Sequence, residues 1–336
     1  MQRFQCPACA SEIWFHNTNC LHCGTGLIWK SERAAFVRRD ASTPPCANRS
    51  VIHCNWQAAP GETLCSACRH TTVVPDLSVP GNDVKWARIE TDKRALLALL
   101  SDLGLPLVDA DGAPSPRFEF RADPADPSRP RVLTGHANGV ITLNIAEADD
   151  AERERIRTQM GEPYRSLPGH LRHEVAHHFW QVLVQSDPAR LETIRAVFGD
   201  DRADYAASLQ NHYKNGPPQN WTASYVSAYA SAHPWEDFAE SWAHVLHLLD
   251  GLETASAYSL LGPSGLPGDV ANLVGVPMRR LSGPWIHLSI ALNAVNAAMG
   301  HASFYPFVLS PDVLGKLDTI RALIASARGE AAEGAH

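Results

Sequence analysis

The sequence predicts an α+β fold in which a small cysteine-rich module precedes a mainly helical domain with a short β-sheet. Three observations support this prediction. All eight cysteines lie within the first 68 of the 336 residues. Apolar residues recur at helical spacing over most of the chain from residue 84 onward. One β-rich stretch, residues 140–145, follows an Asn-Gly pair, which is a strong signal for a tight hairpin.

The composition excludes several classes of protein. A hydrophobic fraction of 45% and a charged fraction of 19% are ordinary for a globular chain and exclude a mainly disordered one. The net charge of −7 argues against a general nucleic-acid or anionic-membrane binder. Polar residues interrupt the most apolar stretch, 285–299, and the first residues lack the apolar core of a secretory signal. We therefore expect a cytoplasmic protein without a membrane segment.

The first four cysteines predict a structural zinc site. Cys6 and Cys9 form one CxxC pair, and Cys20 and Cys23 form a second pair ten residues later. Each CxxC turn directs two thiolates to one ion, and two such turns complete a tetrahedral shell. Disulfides are typical of small exported domains, and we see no export signal here. The spacing therefore favours a zinc ribbon over a disulfide framework.

The remaining cysteines form a looser second set: Cys46, Cys54, Cys65 and Cys68. Four thiols so close in the chain favour a second structural zinc. The alternative is that Cys46 or Cys54 is a buried thiol whose place is taken by His53 or His70. Spacing alone also leaves open a pairing of cysteines across the two sets.

The charge of this cysteine-rich module argues for a structural or protein-contacting role. Residues 1–75 contain seven Lys/Arg and four Asp/Glu. Two four-thiolate zinc sites would bring the net charge to about −1. A DNA-binding ribbon needs clustered basic charge, so we expect a possible protein partner and no nucleic acid.

The chain after the ribbon divides into predicted elements in order. Residues 76–83 are a linker, and helical spacing predicts a helix over 84–103 that ends at Gly104. A short strand is expected at 117–121 and a hairpin over 131–146. The rest of the main domain, up to residue 328, is mostly helical by pattern, and residues 329–336 should form a frayed tail.

The most informative motif is His173-Glu174-x-x-His177, in a predicted helix over 166–186 that Ser166 caps. Residues four apart lie one turn apart on the same helical face, so both imidazoles can bind one ion. Glu174 lies beside them, close enough to take a proton from a zinc-bound water. Apolar residues on the opposite side are expected to be buried: Val175, Phe179, Val182 and Leu183.

A third zinc ligand must come from another segment. Metzincins require glycine and histidine at positions 180 and 183, where this chain has Trp180 and Leu183. A second helix is predicted over 234–250, with Glu236 and Glu240 one turn apart beside an apolar face. This is the gluzincin arrangement, in which the first acid binds zinc and the second orients a ligand histidine. We assign Glu236 as the third ligand and Glu240 as the acid that orients a ligand histidine. An exposed acidic stripe, or Glu240 as the ligand, are the alternatives.

Longer motifs resemble a known family. The stretches GHLRHEVAHHFW, FGDDRADY, NHYKNGPPQNW and SYVSAYASAHPWEDFAESWAHVLH resemble a bacterial family of zinc-binding metallopeptidases that commonly carry an N-terminal zinc ribbon. The resemblance covers most of the chain and implies a zincin-like catalytic domain over 84–328. The two helices are also similar to those of lethal-factor-type toxin peptidases. There a tyrosine seven residues before the ligand glutamate assists the oxyanion, and Tyr229 occupies that position here.

These residues support a hypothesis for the reaction. His173, His177 and Glu236 would hold a catalytic zinc, Glu174 would act as general base on a protein or peptide substrate, and Tyr229, or failing that His233, would donate to the oxyanion. The strand at 140–145 could pair with an extended peptide. The competing interpretation is a zinc-stabilised interaction or sensor module without hydrolytic activity; a third is hydrolysis of non-peptide amides.

Overall fold

The computed structural model describes residues 2–126 and 128–333, which fall into two compact units. The first comprises Met1–Ser101 with Pro106–Leu171, and the second comprises Asp102–Leu105 with Arg172–His336. Half of the residues are helical and 11% are in strands, which confirms the α+β class predicted from the sequence. None of the helices in these described ranges is both long and apolar enough to cross a membrane.

The first unit begins with short strands and single helical turns. Its elements up to residue 73 are β1 (Phe4–Gln5), β2 (Glu12–Ile13), β3 (Leu27–Lys30), β4 (Ala35–Arg38), α1 (Arg49–Ile52), α2 (Ser66–Arg69) and β5 (Thr71–Val73). β1 pairs with β2, and β3 with β4, both antiparallel. The rings of Phe4, Phe15 and Phe36 pack around Trp29 at centroid distances of 5.0–5.3 Å. This aromatic cluster is the apolar core of the module.

The rest of the first unit contains one long helix and a small sheet. The elements are α3 (Asn82–Asp102), β6 (Arg117–Arg121), β7 (Gly135–Ala137), β8 (Val140–Asn144), α4 (Asp150–Met160) and the start of α5 (Leu167–Phe179). α3 matches the predicted helix, and Gly104 follows it with φ of 71°. Its buried Lys93 donates to Glu90 at 3.0 Å, and both side chains are fully buried.

The sheet has the strand order β5-β6-β8-β7. β7 and β8 form the predicted hairpin, and both turn residues, Asn138 and Gly139, have positive φ. β8 has parallel β6 on one side and antiparallel β7 on the other. Because both of its edges are already paired, the expectation that strand 140–145 adds an extended peptide is wrong.

The second unit is helical. After α5 the chain continues as a π-helix (Trp180–Gln185), followed by α6 (Pro188–Phe198), α7 (Tyr205–Asn215), α8 (Pro234–Ala257), α9 (Val270–Leu273), α10 (Met278–Ala298) and α11 (Pro311–Glu333). α8 is buried on nearly all sides and packs against α6, α9, α10 and α11. α11 ends at Glu333, so the prediction of a frayed tail is wrong for residues 329–333, which continue the helix; residues 334–336 lie outside the described residues.

The π-helix changes which side chains face the core. Val175, Phe179 and Leu183 are buried as predicted, whereas Val182 is 39% exposed. Val182 lies within the π-helical turn, where hydrogen bonds close every five residues and the 3.6-residue period no longer holds. The expectation for Val182 was therefore wrong.

Candidate zinc centres

The first cysteine set converges to one point. The sulfur atoms of Cys6, Cys9, Cys20 and Cys23 all lie within 4.8 Å of one another. Cys6 Sγ is 3.7 Å from Cys23 Sγ, and Cys9 Sγ is 3.8 Å from Cys20 Sγ. Sulfur ligands about 2.3 Å from a tetrahedral zinc ion lie about 3.8 Å apart. The spacing of these thiols fits a zinc ion.

The second set converges separately, so the cysteines do not mix between sets. Cys46, Cys54, Cys65 and Cys68 lie within the same limit and are all buried. Cys54 Sγ is 3.7 Å from Cys65 Sγ and 3.8 Å from Cys68 Sγ. His70 instead places its Nδ1 2.7 Å from the Pro116 carbonyl oxygen, next to the sheet. The two four-cysteine clusters support zinc binding by this module.

α5 presents two imidazoles on one face. Ser166 accepts a hydrogen bond from Gly169 N at 3.1 Å and caps the helix as predicted. His173 and His177 are one turn apart, and their Nε2 atoms are 3.2 Å apart. The two Nε2 nitrogens therefore face a common point.

α8 adds a carboxylate to that point. His233 caps the helix, Pro234 occupies its first turn, and Glu236 follows with 1% exposure. Glu236 Oε2 is 3.0 Å from His173 Nε2 and 3.7 Å from His177 Nε2. Nitrogen and oxygen ligands about 2.1 Å from a tetrahedral zinc ion lie about 3.4 Å apart. The three ligand atoms thus fit one ion, and Glu236 Oε2 has no hydrogen-bond donor in the described residues.

Glu240 lies behind the ring of His173. Its Oε1 is 2.7 Å from His173 Nδ1, and its Oε2 accepts a hydrogen bond from Ser227 Oγ at 2.6 Å. Ser227 Oγ in turn accepts from Ala230 N at 3.0 Å. Both oxygens of Glu240 are therefore engaged on the side of the imidazole that faces away from Glu236.

Tyr205 contacts the other oxygen of Glu236. The Tyr205 hydroxyl, at the start of α7, donates to Glu236 Oε1 at 2.6 Å. Sequence reasoning missed both Tyr205 and Ser227, because neither has a spacing that relates it to the helix residue it contacts. Only the quoted stretches FGDDRADY and SYVSAYASAHPWED, which contain them, marked these segments at all.

Glu174 and the two aromatic candidates lie close to the cluster. Glu174 is 8% exposed, and its Oε2 is buried without a hydrogen-bond partner in the part of the chain that the structure describes. The Tyr229 ring lies 6.0 Å from the His173 ring. His233, the alternative to Tyr229, has both ring nitrogens engaged, with Trp235 N at 3.1 Å and the Ala203 carbonyl oxygen at 3.1 Å.

The electrostatics of the cluster reflect buried charges of both signs. Burial opposes protonation of His173, but the carboxylates of Glu236 and Glu240 raise its pKa well above the ordinary value. Burial also opposes ionisation of Glu236, but His173 and His177 hold its pKa well below the usual range. Burial, followed by the charge of Glu236, raises the pKa of Tyr229, so its hydroxyl keeps its proton. A cation at this point would replace the protons that these groups otherwise share.

Comparison with known proteins identifies the family. A family model described as "Putative zinc-binding metallo-peptidase" matches residues 82–323, and a zinc-ribbon domain model matches residues 3–79. The chain therefore belongs to this zinc-binding metallo-peptidase family and carries an N-terminal zinc ribbon. It is 40% identical over 328 residues to uncharacterized proteins of Mycobacterium bovis and of two strains of Mycobacterium tuberculosis, covering 96% of this chain and 95% of theirs. No solved structure matches it.

Proposed function

We propose that this member of the family is a zinc-dependent peptidase that hydrolyses peptide bonds in proteins or peptides. The observation that carries the proposal is the convergence of His173, His177 and Glu236 beside a buried carboxylate, Glu174, that has an unpartnered oxygen. Three protein ligands leave a fourth tetrahedral position open, which is typical of catalytic rather than structural zinc sites. We therefore propose one catalytic and two structural zinc ions per chain.

The chemistry of the ion defines what the side chains must do. His173, His177 and Glu236 would hold a zinc ion, which would lower the pKa of a bound water toward neutrality and polarise the substrate carbonyl. Glu174 accepts the proton of the attacking water and later donates it to the leaving amine. Its buried oxygen suits this role, because no donor among residues 2–126 and 128–333 competes for the lone pair that would take the proton.

Two further groups complete the proposed site. The Tyr229 hydroxyl donates to the oxyanion that forms on the substrate carbonyl, a role for which His233 is unsuited because both its ring nitrogens have partners. Glu240 accepts the Nδ1 proton of His173, which fixes the tautomer and directs the Nε2 lone pair toward the ligand position. Ser227 holds Glu240 in that orientation.

The decisive experiment compares Glu174→Gln with wild type. Both proteins are purified with zinc and incubated with a broad peptide library and with cell lysate, and cleavage is followed by mass spectrometry. We expect wild-type cleavage that Glu174→Gln abolishes and that Glu192→Gln, an exposed carboxylate on α6, leaves unchanged. Identical behaviour of all three proteins would favour the interaction or sensor module instead.

Metal content tests the site separately from the activity. Wild type should contain about three zinc ions per chain, and Glu236→Gln about two, because the cysteine clusters do not include Glu236. Two zinc ions in both proteins would remove the proposed catalytic centre. If Glu236→Gln lacks the third ion but wild type shows no peptidase activity, the zinc site is supported and the proposed reaction is rejected.

A further inference from the structure

A cavity of about 650 Å³ lies in the ribbon module, between segments that contain the two cysteine sets. Its polar lining consists of Thr18, Asn19, Arg39, Arg49, Ser50 and His53. Thr18 and Asn19 directly precede Cys20 of the first set, and the sulfur-bearing Cys46 of the second set also contributes to the wall. We call this the ribbon cavity. None of its lining residues is acidic.

The two arginines of the ribbon cavity are close together without a carboxylate. Arg49 donates from Nη2 to the Thr18 carbonyl oxygen at 2.6 Å and from Nη1 to the Leu27 carbonyl oxygen at 3.2 Å. Both acceptors are neutral, and they fix the guanidinium in place. Burial and the positive charge of Arg39 lower the pKa of Arg49, while Cys54 acts in the opposite direction. The two carbonyl oxygens therefore offset part of the charge of Arg49.

Arg39 has no comparable compensation. It is exposed, and within residues 2–126 and 128–333 neither it nor Arg49 forms an ion pair with a carboxylate. Most other arginines with exposed side chains in the same unit do pair, as Arg3 does with Glu12 at 2.9 Å. Arg39 is close enough to Arg49 for its charge to lower the pKa of Arg49, so an anion that binds at both guanidiniums would relieve their repulsion.

We propose that the ribbon cavity binds a carboxylate-bearing segment of another protein, with Arg39 and Arg49 as its cationic contacts. The guanidinium of Arg39 presents paired N–H donors that match the two oxygens of a carboxylate, and Arg49, whose Nη atoms already donate to backbone carbonyl oxygens, adds positive charge beside it. Thr18, Asn19 and Ser50 add neutral hydrogen-bonding groups at the wall. The volume falls within the range of about 300–1,000 Å³ that is usual for ligand sites, enough for a few side chains of an extended peptide.

Nucleic acid fits the ribbon cavity less well than an acidic peptide. Its lining includes the imidazole of His53 but no Phe, Tyr or Trp ring on which a base would stack. Two arginines would neutralise few phosphates of a nucleic-acid strand, whereas they suffice for one or two carboxylates of a protein segment. This site goes beyond the proposed peptidase reaction, because it would select proteins by an acidic segment independently of the bond that is cut.

Fluorescence anisotropy of a fluorescein-labelled octaglutamate peptide tests the proposal. The protein is the full chain as Glu174→Gln with its zinc ions, so that binding is measured without hydrolysis and its failure leaves the proposed reaction untouched. We expect saturable binding that Arg39→Gln weakens about tenfold or more, since a charge-assisted hydrogen bond is lost. Arg33→Gln removes the same charge from an exposed position of the same module outside the cavity lining, and should change affinity less than about twofold.

Several outcomes would overturn the proposal. Equal weakening by Arg39→Gln and Arg33→Gln would show a general charge effect. Equal affinity for labelled octaglutamine would exclude recognition of carboxylates, and absence of saturable octaglutamate binding would exclude the site. Tighter, Arg39-dependent binding of an eight-nucleotide thymidine oligomer would assign the ribbon cavity to nucleic acid instead. Zinc content measured on each variant shows that both cysteine clusters are intact, because Arg39 is exposed and its loss should not unfold the module.

Discussion

Replacing Tyr205 with phenylalanine isolates the support that this hydroxyl gives to Glu236. The substitution keeps the ring, which packs at 5.2 Å from His233 and 5.7 Å from Trp235, and removes the hydroxyl that donates to Glu236 Oε1 and also contacts the Tyr229 hydroxyl. The substitution leaves Glu236 itself intact, including Oε2, the oxygen that faces His173 and His177. The expected result is weaker zinc binding at the histidine site and no change at the cysteine clusters.

The hydrogen bond sets the size of the effect. A bond from a neutral donor to a charged acceptor contributes about 1.5–3 kcal/mol, and every 1.4 kcal/mol corresponds to a tenfold change in affinity. Loss of a partner that supports a metal ligand commonly costs about 10–100-fold in affinity. Both routes give a zinc affinity about 10–100-fold lower in Tyr205→Phe, because the carboxylate gains freedom to rotate away from the two imidazoles.

Dialysis against graded concentrations of a chelator measures this change, with zinc counted by mass spectrometry. Tyr205→Phe should lose its third zinc at a chelator concentration about 10–100-fold lower than wild type does. The two zinc ions at the cysteine clusters should be retained. Tyr213→Phe is the matched control, since Tyr213 lies on the same helix and is 60% exposed. If Tyr205→Phe and wild type lose their third zinc at chelator concentrations that agree within about twofold, the hydroxyl does not support the ligand and the reasoning fails.

Three further predictions concern stability. Glu90→Gln leaves the fully buried Lys93 without its carboxylate and should lower the free energy of unfolding by about 3–5 kcal/mol, measured by urea denaturation; a loss below about 1 kcal/mol would contradict the buried pair. Gly251→Ala places a methyl group 2.5 Å from the ring of buried Trp285, so the overpacking cost of about 1–3 kcal/mol should exceed the gain of about 1 kcal/mol in helix propensity and lower the melting temperature. Burial lowers the pKa of His244 to about 4, so the unfolded chain binds a proton there that the folded chain does not, and stability falls as pH drops from about 6.5 toward 4. The free energy of unfolding should fall by at most about 3 kcal/mol over this range. The difference in urea midpoint between wild type and His244→Gln should therefore change between about pH 6.5 and 4 and stay constant at higher pH.

The elements that the sequence predicts well are those with a local cause. α3 begins within two residues of its predicted start because its apolar spacing and Gly104 define both ends. The hairpin depends on Asn138 and Gly139, which both adopt the positive φ that such a turn requires. The π-helix after α5 has no such signal, since it arises from a change in main-chain hydrogen bonding rather than from side-chain spacing.

The residues of the candidate site also differ in whether a local sequence pattern identifies them. His173 and His177 lie one turn apart on a single helix, and so do Glu236 and Glu240, so each pair can be recognised from its spacing. Tyr205 contacts its partner only through tertiary packing, because it precedes Glu236 by 31 residues. Ser227 lies in an irregular segment before α8, where no periodic pattern indicates which way its side chain points.

The two glutamates of α8 show why spacing alone left the ligand assignment open. They are identical in type and one turn apart, and the partners of their oxygens distinguish them. Both oxygens of Glu240 are engaged, by His173 Nδ1 and by Ser227 Oγ, so binding a metal would require it to give up a hydrogen bond. Glu236 is anchored through one oxygen by Tyr205, and its other oxygen faces two imidazole nitrogens with no donor of its own in the described residues. Glu236 Oε2 and the Nε2 atoms of His173 and His177 lie 3.0–3.7 Å apart, so a cation between them would contact all three, whereas without one the cluster depends on protons shared between the carboxylate and the imidazoles. The hydrogen-bond partners of the two carboxylates, rather than their positions on the helix, therefore favour Glu236 as the ligand and Glu240 as the group that orients His173.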